Sequence, residues 1–193
     1  MIERYKELLQ SRLSAYRCRH SFCVAQAAAE LAERYGADPE KAYVAGLLHD
    51  ITKEADKAEQ FELFRLGGVE LSEAETRNPK LWHAMSAPIF LKEKLGIDDE
   101  EILTPIRYHT TARAGMSLME KILYIADFIS ADRVYDDVDV VRKLAGQGLE
   151  ETMLYTLDYT IRDLLKKRRA IHPDSVACYN ELILNGNSSS GIE

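Results

Sequence analysis

Apolar residues recur at intervals of three and four along almost the whole chain, the period of helices that bury one face. Residues 2–13 read as a short amphipathic helix, and Ser14 is placed to cap a second helix over 15–35. In that helix Cys18, Phe22, Ala25, Ala29 and Ala32 form a stripe that stops before Gly36. Asp38-Pro39 opens a third helix, with aspartate at the N-cap and proline at the first helical position. It runs into KAYVAGLLHDITK, an apolar stretch that closes on His49 and Asp50. Further helices are expected over 56–66, 80–95, 99–109, 117–130, 139–145, 149–169 and 174–184, the last capped by Asp174 or Ser175. Residues 67–79 read as a loop, with Gly67-Gly68 and Asn78-Pro79 as turn signals. With no strand alternation, repeat or linker, the pattern predicts one all-α domain, a helical bundle over 1–185. The tail 186–193 is expected to be disordered.

Composition narrows the function classes without choosing one. The 193 residues carry 25 Lys and Arg against 32 Asp and Glu, a formal net charge of −7. That balance argues against a broad nucleic-acid-binding surface. An anionic substrate stays open, because bound metal ions can reverse the local sign of an acidic site. Cys18, Cys23 and Cys178 are odd in number and form no CxxC pair, which fits reduced thiols in a cytoplasmic protein. No apolar run reaches the length of a membrane span, and the N-terminus lacks the apolar segment of a signal peptide.

The chemistry concentrates in the histidines. His20, His49, His83 and His109 fall on four separate predicted helices, and Asp50 follows His49 directly. Asp127 lies in KILYIADFI, where an unpaired charge is costly. A salt bridge to Arg133 or Lys121 is one solution for Asp127, and a bound cation is another. Imidazole and carboxylate suit iron, manganese, cobalt and zinc. Six such groups could hold two ions, and two metals roughly 3.5–4 Å apart can clamp a phosphoryl group and deliver a hydroxide. The fifth histidine, His172, precedes a proline and reads as structural or substrate-adjacent.

The order His20, His49-Asp50, Asp127 resembles the H…HD…D pattern of the HD-domain metal-dependent phosphohydrolases. His83 and His109 resemble the extra histidines of the subset with a two-metal site. The blocks RHSFCVA, LLHDITK, IRYHTTARAGMS, EKILYIADFI and IHPDS look like the bacterial YqeK family, across nearly the whole chain. That family hydrolyses diadenosine tetraphosphate (Ap4A) symmetrically, so the resemblance implies an HD-domain bundle releasing two nucleoside diphosphates. It also implies that His20, His49, Asp50, His83, His109 and Asp127 hold two divalent or trivalent ions, with Asp50 bridging. Iron is the implied metal, with manganese or cobalt compatible. A homodimer is implied as well.

Asp50 and Lys53 are then the candidate catalytic groups, and Arg17, Lys53, Thr110, Thr111, Arg113 and Arg133 the candidate substrate contacts. Lys53 lies four residues after His49, on the same side if the helix continues; the plainer alternative is a solvated lysine at a helix end. The arginines suit phosphate but can equally be surface residues. Three stretches depart from the family pattern: HAMSAP with Ala87 and Pro88 where a small-residue turn is expected, HTTA with Ala112 where glycine is usual, and ISADR where an acid-proline pair often precedes the arginine. Two other readings stay open. One is a phosphohydrolase for a guanosine polyphosphate or cyclic nucleotide, the other a nucleotide-binding regulator without turnover.

Overall fold

A computed structural model describes residues 2–187. Among them are eleven α-helices, one 3₁₀ turn and no strand. The order is α1 (Ile2–Arg12), α2 (Ala15–Tyr35), α3 (Pro39–Leu48), α4 (Lys57–Gly67), α5 (Glu73–Thr76), the 3₁₀ turn Pro79–Leu81 and α6 (Trp82–Leu95). There follow α7 (Glu100–Tyr108), α8 (Leu118–Ile129), α9 (Val138–Ala145), α10 (Leu149–Lys166) and α11 (Pro173–Asn187). No helix of the described residues is long and apolar enough to cross a membrane.

The centre of the bundle is built from α2, α3, α7 and α8, which pack on one another, with α6 laid on α7 and α10 on α8. Small residues let α2 and α3 approach closely: Ala25, Ala28, Ala32, Ala42 and Ala45 are buried between larger aliphatic groups. Gly46 marks the tightest point, where an added Cβ would come within 2.7 Å of the Ala25 backbone. Such an approach fixes the end of α3 against the middle of α2, and so the turn after α3 against the helix that carries His20.

Several local expectations change. Ser14 precedes α2 but its side chain caps nothing there; its amide and hydroxyl instead donate to Glu54 at 2.6 and 2.7 Å. The loop expected over 67–79 contains α5, which a Ser72–Glu75 capping box holds. HAMSAP lies inside α6, so Pro88 sits within a continuous helix rather than closing a turn. α10 ends at Lys166, and Arg168 takes a left-handed backbone at φ 50°. The start of α11 is not capped by Asp174 or Ser175. His172 Nδ1 accepts from the Asp174 amide at 3.2 Å, and Ser175 Oγ donates to the Thr111 carbonyl at 2.7 Å. Residues 186 and 187 of the expected tail belong to α11; residues 188–193 lie outside the described part.

Candidate metal centre

α3 stops at Leu48, and His49, Asp50 and Lys53 sit on the turn that follows. That turn is fastened from all sides. Arg12 Nε donates to Ile51 O at 3.3 Å and Gln60 Nε2 to Thr52 O at 2.8 Å. Thr52 Oγ1 donates to His83 O at 3.1 Å and lies 2.8 Å from Ser86 Oγ, tying the turn to α6. A loop so constrained can hold side chains in one geometry.

Five elements converge here: His20 from α2, His49 and Asp50 after α3, His83 from α6, His109 after α7, and Asp127 from α8. All four histidines and Asp50 are at most 2% exposed. His49 and His109 are oriented alike: each donates Nδ1–H at 2.7 Å to a carbonyl three residues upstream, Gly46 O and Ile106 O. Their Nε2 lone pairs therefore face the centre. The Nε2 atoms of His83 and His109 are 3.1 Å apart, and Asp50 Oδ1 is 3.1 Å from the first and 3.6 Å from the second. Asp50 Oδ2 faces the other way, 3.7 Å from His49 Nε2, while His20 Nε2 lies 3.0 Å from Asp127 Oδ1.

Such a set fits a metal. Three overlapping groups, His20-His49-Asp50, His49-His109-Asp127 and Asp50-His83-His109, each bring three ligand atoms within 4.8 Å of one another. His49 Nε2 and Asp50 Oδ1 are buried without a hydrogen-bond partner among the described residues. Buried polar atoms are normally paired, so these two unpaired ligand atoms are what a cation satisfies. Burial lowers His49 to about 3 and His83 to about 4, so both imidazoles are neutral and able to ligate at ordinary pH. Burial alone would raise the carboxyls, yet Lys53 beside Asp50, and His20 and Arg133 beside Asp127, help to hold both well below the usual carboxylate range.

Cations ring the cluster. Lys53 Nζ lies 2.9 Å from His83 Nε2 and 3.5 Å from Asp50 Oδ1; it reaches in from the turn, not from a continued helix, and burial lowers its pKa. Arg17 Nη1 is 3.4 Å from Asp50 Oδ2. Arg133 pairs with the Asp127 carboxylate and donates Nε–H to the Asp127 carbonyl at 2.7 Å. Lys121, the other partner considered for Asp127, bonds Glu150 instead. The hydroxyls of Thr110 and Thr111 are buried without partners. Arg113 is drawn elsewhere, its guanidinium donating to both oxygens of the buried Glu120 at 2.6 and 2.9 Å.

Two acids escaped the sequence reading. Asp132 Oδ2 lies 2.9 Å from His20 Nδ1, with Ser130 Oγ donating to Oδ1 at 2.8 Å, so it sets the His20 ring with Nε2 inward. Arg142 secures that turn by bonding the carbonyls of Ile129, Ser130 and Arg133. The signal was the acid in ISADR, read only as a departure in loop shape. Glu75, buried, receives Arg107 at 3.2 Å, has His172 Nε2 at 3.4 Å, and accepts from the Ser72 amide and hydroxyl. It joins α5, α7 and the start of α11, which gives His172 a structural place outside the cluster.

The HD domain family model matches residues 17–132. The symmetrical bis(5′-nucleosyl)-tetraphosphatase of Halalkalibacterium halodurans is 39% identical over 180 residues, covering 92% of this chain and 95% of that protein. The protein of the same description from Bacillus subtilis is 37% identical over 175 residues, covering 91% and 94%. A crystal structure of a predicted HD superfamily hydrolase involved in NAD metabolism, from Clostridium acetobutylicum, superposes with a TM-score of 0.92. It shares 37% identity and covers 96% of this chain and 98% of its own.

Proposed function

Given that the chain belongs to the HD-domain family, and within it to the symmetrical bis(5′-nucleosyl)-tetraphosphatases, we propose that it hydrolyses Ap4A and related dinucleoside tetraphosphates to two nucleoside diphosphates. The observation that carries the reading is the convergence of four imidazole Nε2 atoms on two carboxylates, inside a ring of Lys53, Arg17 and Arg133.

In this reading His20, His49, Asp50, His83, His109 and Asp127 hold two metal ions. The two oxygens of Asp50 face opposite ends of the cluster, which supports a bridging role. Iron is the metal the resemblance implies, and the nitrogen-and-oxygen donor set suits it as it suits manganese or cobalt. When bound, such ions supply Lewis acidity at the phosphoryl oxygens and lower the pKa of water. The protein's own groups do the rest. Arg17 and Arg133 bind and orient the polyphosphate by charge and by their planar donor sets. Lys53 stands beside His83 and Asp50, where its ammonium can hold a phosphate oxygen or give a proton to the departing diphosphate. Thr110 and Thr111 offer unpaired hydroxyls for the same oxygens. The resemblance also supports a homodimer, and the three free thiols support a cytoplasmic setting.

Asp50→Ala and His109→Ala variants test the assignment. Both should lose bound metal, measured by elemental analysis of the purified protein, together with turnover of Ap4A. A variant that keeps its full metal content and activity would remove that residue from the site.

A further inference from the structure

Beside the cluster lies a cavity of about 490 Å³ whose charged lining is Asp127, Asp132 and Arg133 and whose aromatic and aliphatic lining is Tyr16, Phe128, Val134, Tyr135 and Tyr159. We propose that it holds the base of one nucleoside half of the substrate, stacked against Tyr16 and Tyr159. The inference rests on the functional reading above and adds to it the site that recognises the nucleoside.

Tyr16 precedes His20 by four residues on α2, so the two share a face one turn apart, with His20 at the cluster and Tyr16 at the cavity. Arg17, between them in sequence, reaches Asp50 while its guanidinium carbon lies 5.6 Å from the centre of the Tyr16 ring. On the other wall Val134 and Tyr135 follow Arg133 directly. The ring of Tyr159, from α10, sits 5.7 Å from that of Tyr135 at an interplanar angle of 39°. The cavity therefore brings charged groups and an aromatic and aliphatic surface together beside the cluster.

That surface is open to solvent. Tyr16 is 64% exposed, Tyr159 42% and Val134 93%. Apolar groups gathered beside Arg133 and a metal-binding cluster match a ligand with a polyanion at one end and a planar aromatic group at the other. A nucleoside polyphosphate has that form. Its phosphates suit the arginines, and its base presents a π-face that a tyrosine ring can stack on whatever the base's hydrogen-bonding edge.

Calorimetric titration of the metal-loaded protein with ADP and with inorganic pyrophosphate separates the two ends. Tyr16→Ala and Tyr159→Ala should each weaken ADP binding about tenfold and leave pyrophosphate unchanged, whereas Tyr16→Phe and Tyr159→Phe should keep ADP affinity. Unchanged ADP affinity in both alanine variants, or an equal loss for pyrophosphate, would overturn the inference. If the parent protein cleaves Ap4A to ADP while those variants bind ADP normally, the cavity assignment alone fails. A parent protein with no turnover of Ap4A overturns the functional reading and this inference with it.

Discussion

His83 and His109 face each other nitrogen to nitrogen, Nε2 to Nε2 at 3.1 Å. His109 commits its Nδ1–H to Ile106 O, so its Nε2 presents a lone pair to its neighbour. With Lys53 Nζ 2.9 Å from His83 Nε2 as well, the pair and the Asp50 carboxylate beside it form a cluster that a metal ion would tie together. Removing metal with a chelator should therefore lower the melting temperature measured by calorimetry. Ions held at about a hundredfold over their dissociation constant contribute about 3 kcal/mol. A His83→Ala variant should show a smaller response to chelator, and identical melts with and without metal would contradict a metal-holding cluster.

The same burial predicts a pH effect in the metal-free protein. His49 and His83 are lowered to about 3 and about 4, while their unfolded-state values lie near 6.5. Between these limits the unfolded chain binds more protons at these two sites, so their contribution to stability is full above about pH 6.5 and falls as pH drops toward about 3, against an opposite and separate contribution from His20, whose pKa is raised. Denaturant melts of chelated protein across that window should show the decline. A flat profile would mean that the imidazoles are not buried in neutral form.

Asp132 acts through His20. Asp132→Asn should weaken metal binding about tenfold, measured by competitive titration, because the amide can no longer set the His20 tautomer. The metal-free melt should barely change, since Ser130 can still bond the side chain. Unaltered metal affinity would reduce Asp132 to a loop residue.

Arg113 is predicted to act on the fold. Arg113→Ala leaves the fully buried Glu120 without its cation, although Glu120 still accepts from the Ser117 amide at 2.8 Å. The cost should be about 1–3 kcal/mol in a denaturant melt, with KM for Ap4A unchanged. A large rise in KM at unchanged stability would favour the phosphate contact that the resemblance implies.

How much of this was legible follows from where each residue's partner lies. The helices showed because their apolar stripes repeat locally, and α2 keeps the bounds 15–35 read from its pattern. His20, His49, His83, His109 and Asp127 stood out as ionisable groups in apolar helices, a conflict that only a shared centre resolves. Asp132 and Glu75 gave no such signal, because an acid in a polar turn looks solvated until His20 or Arg107 arrives from 112 or 32 residues away. Arg113 shows the converse, since sequence marks a cation near the centre but cannot say that Glu120 is closer. Ala112 was legible as an oddity: it takes φ 55° in the HTTA turn, a left-handed conformation that glycine adopts without strain.

The most direct test of the central claim is the product pattern from Ap4A with metal-loaded protein, read by anion-exchange chromatography at early times. Symmetrical cleavage yields ADP alone, two molecules for each substrate consumed. Equal amounts of ATP and AMP would contradict it.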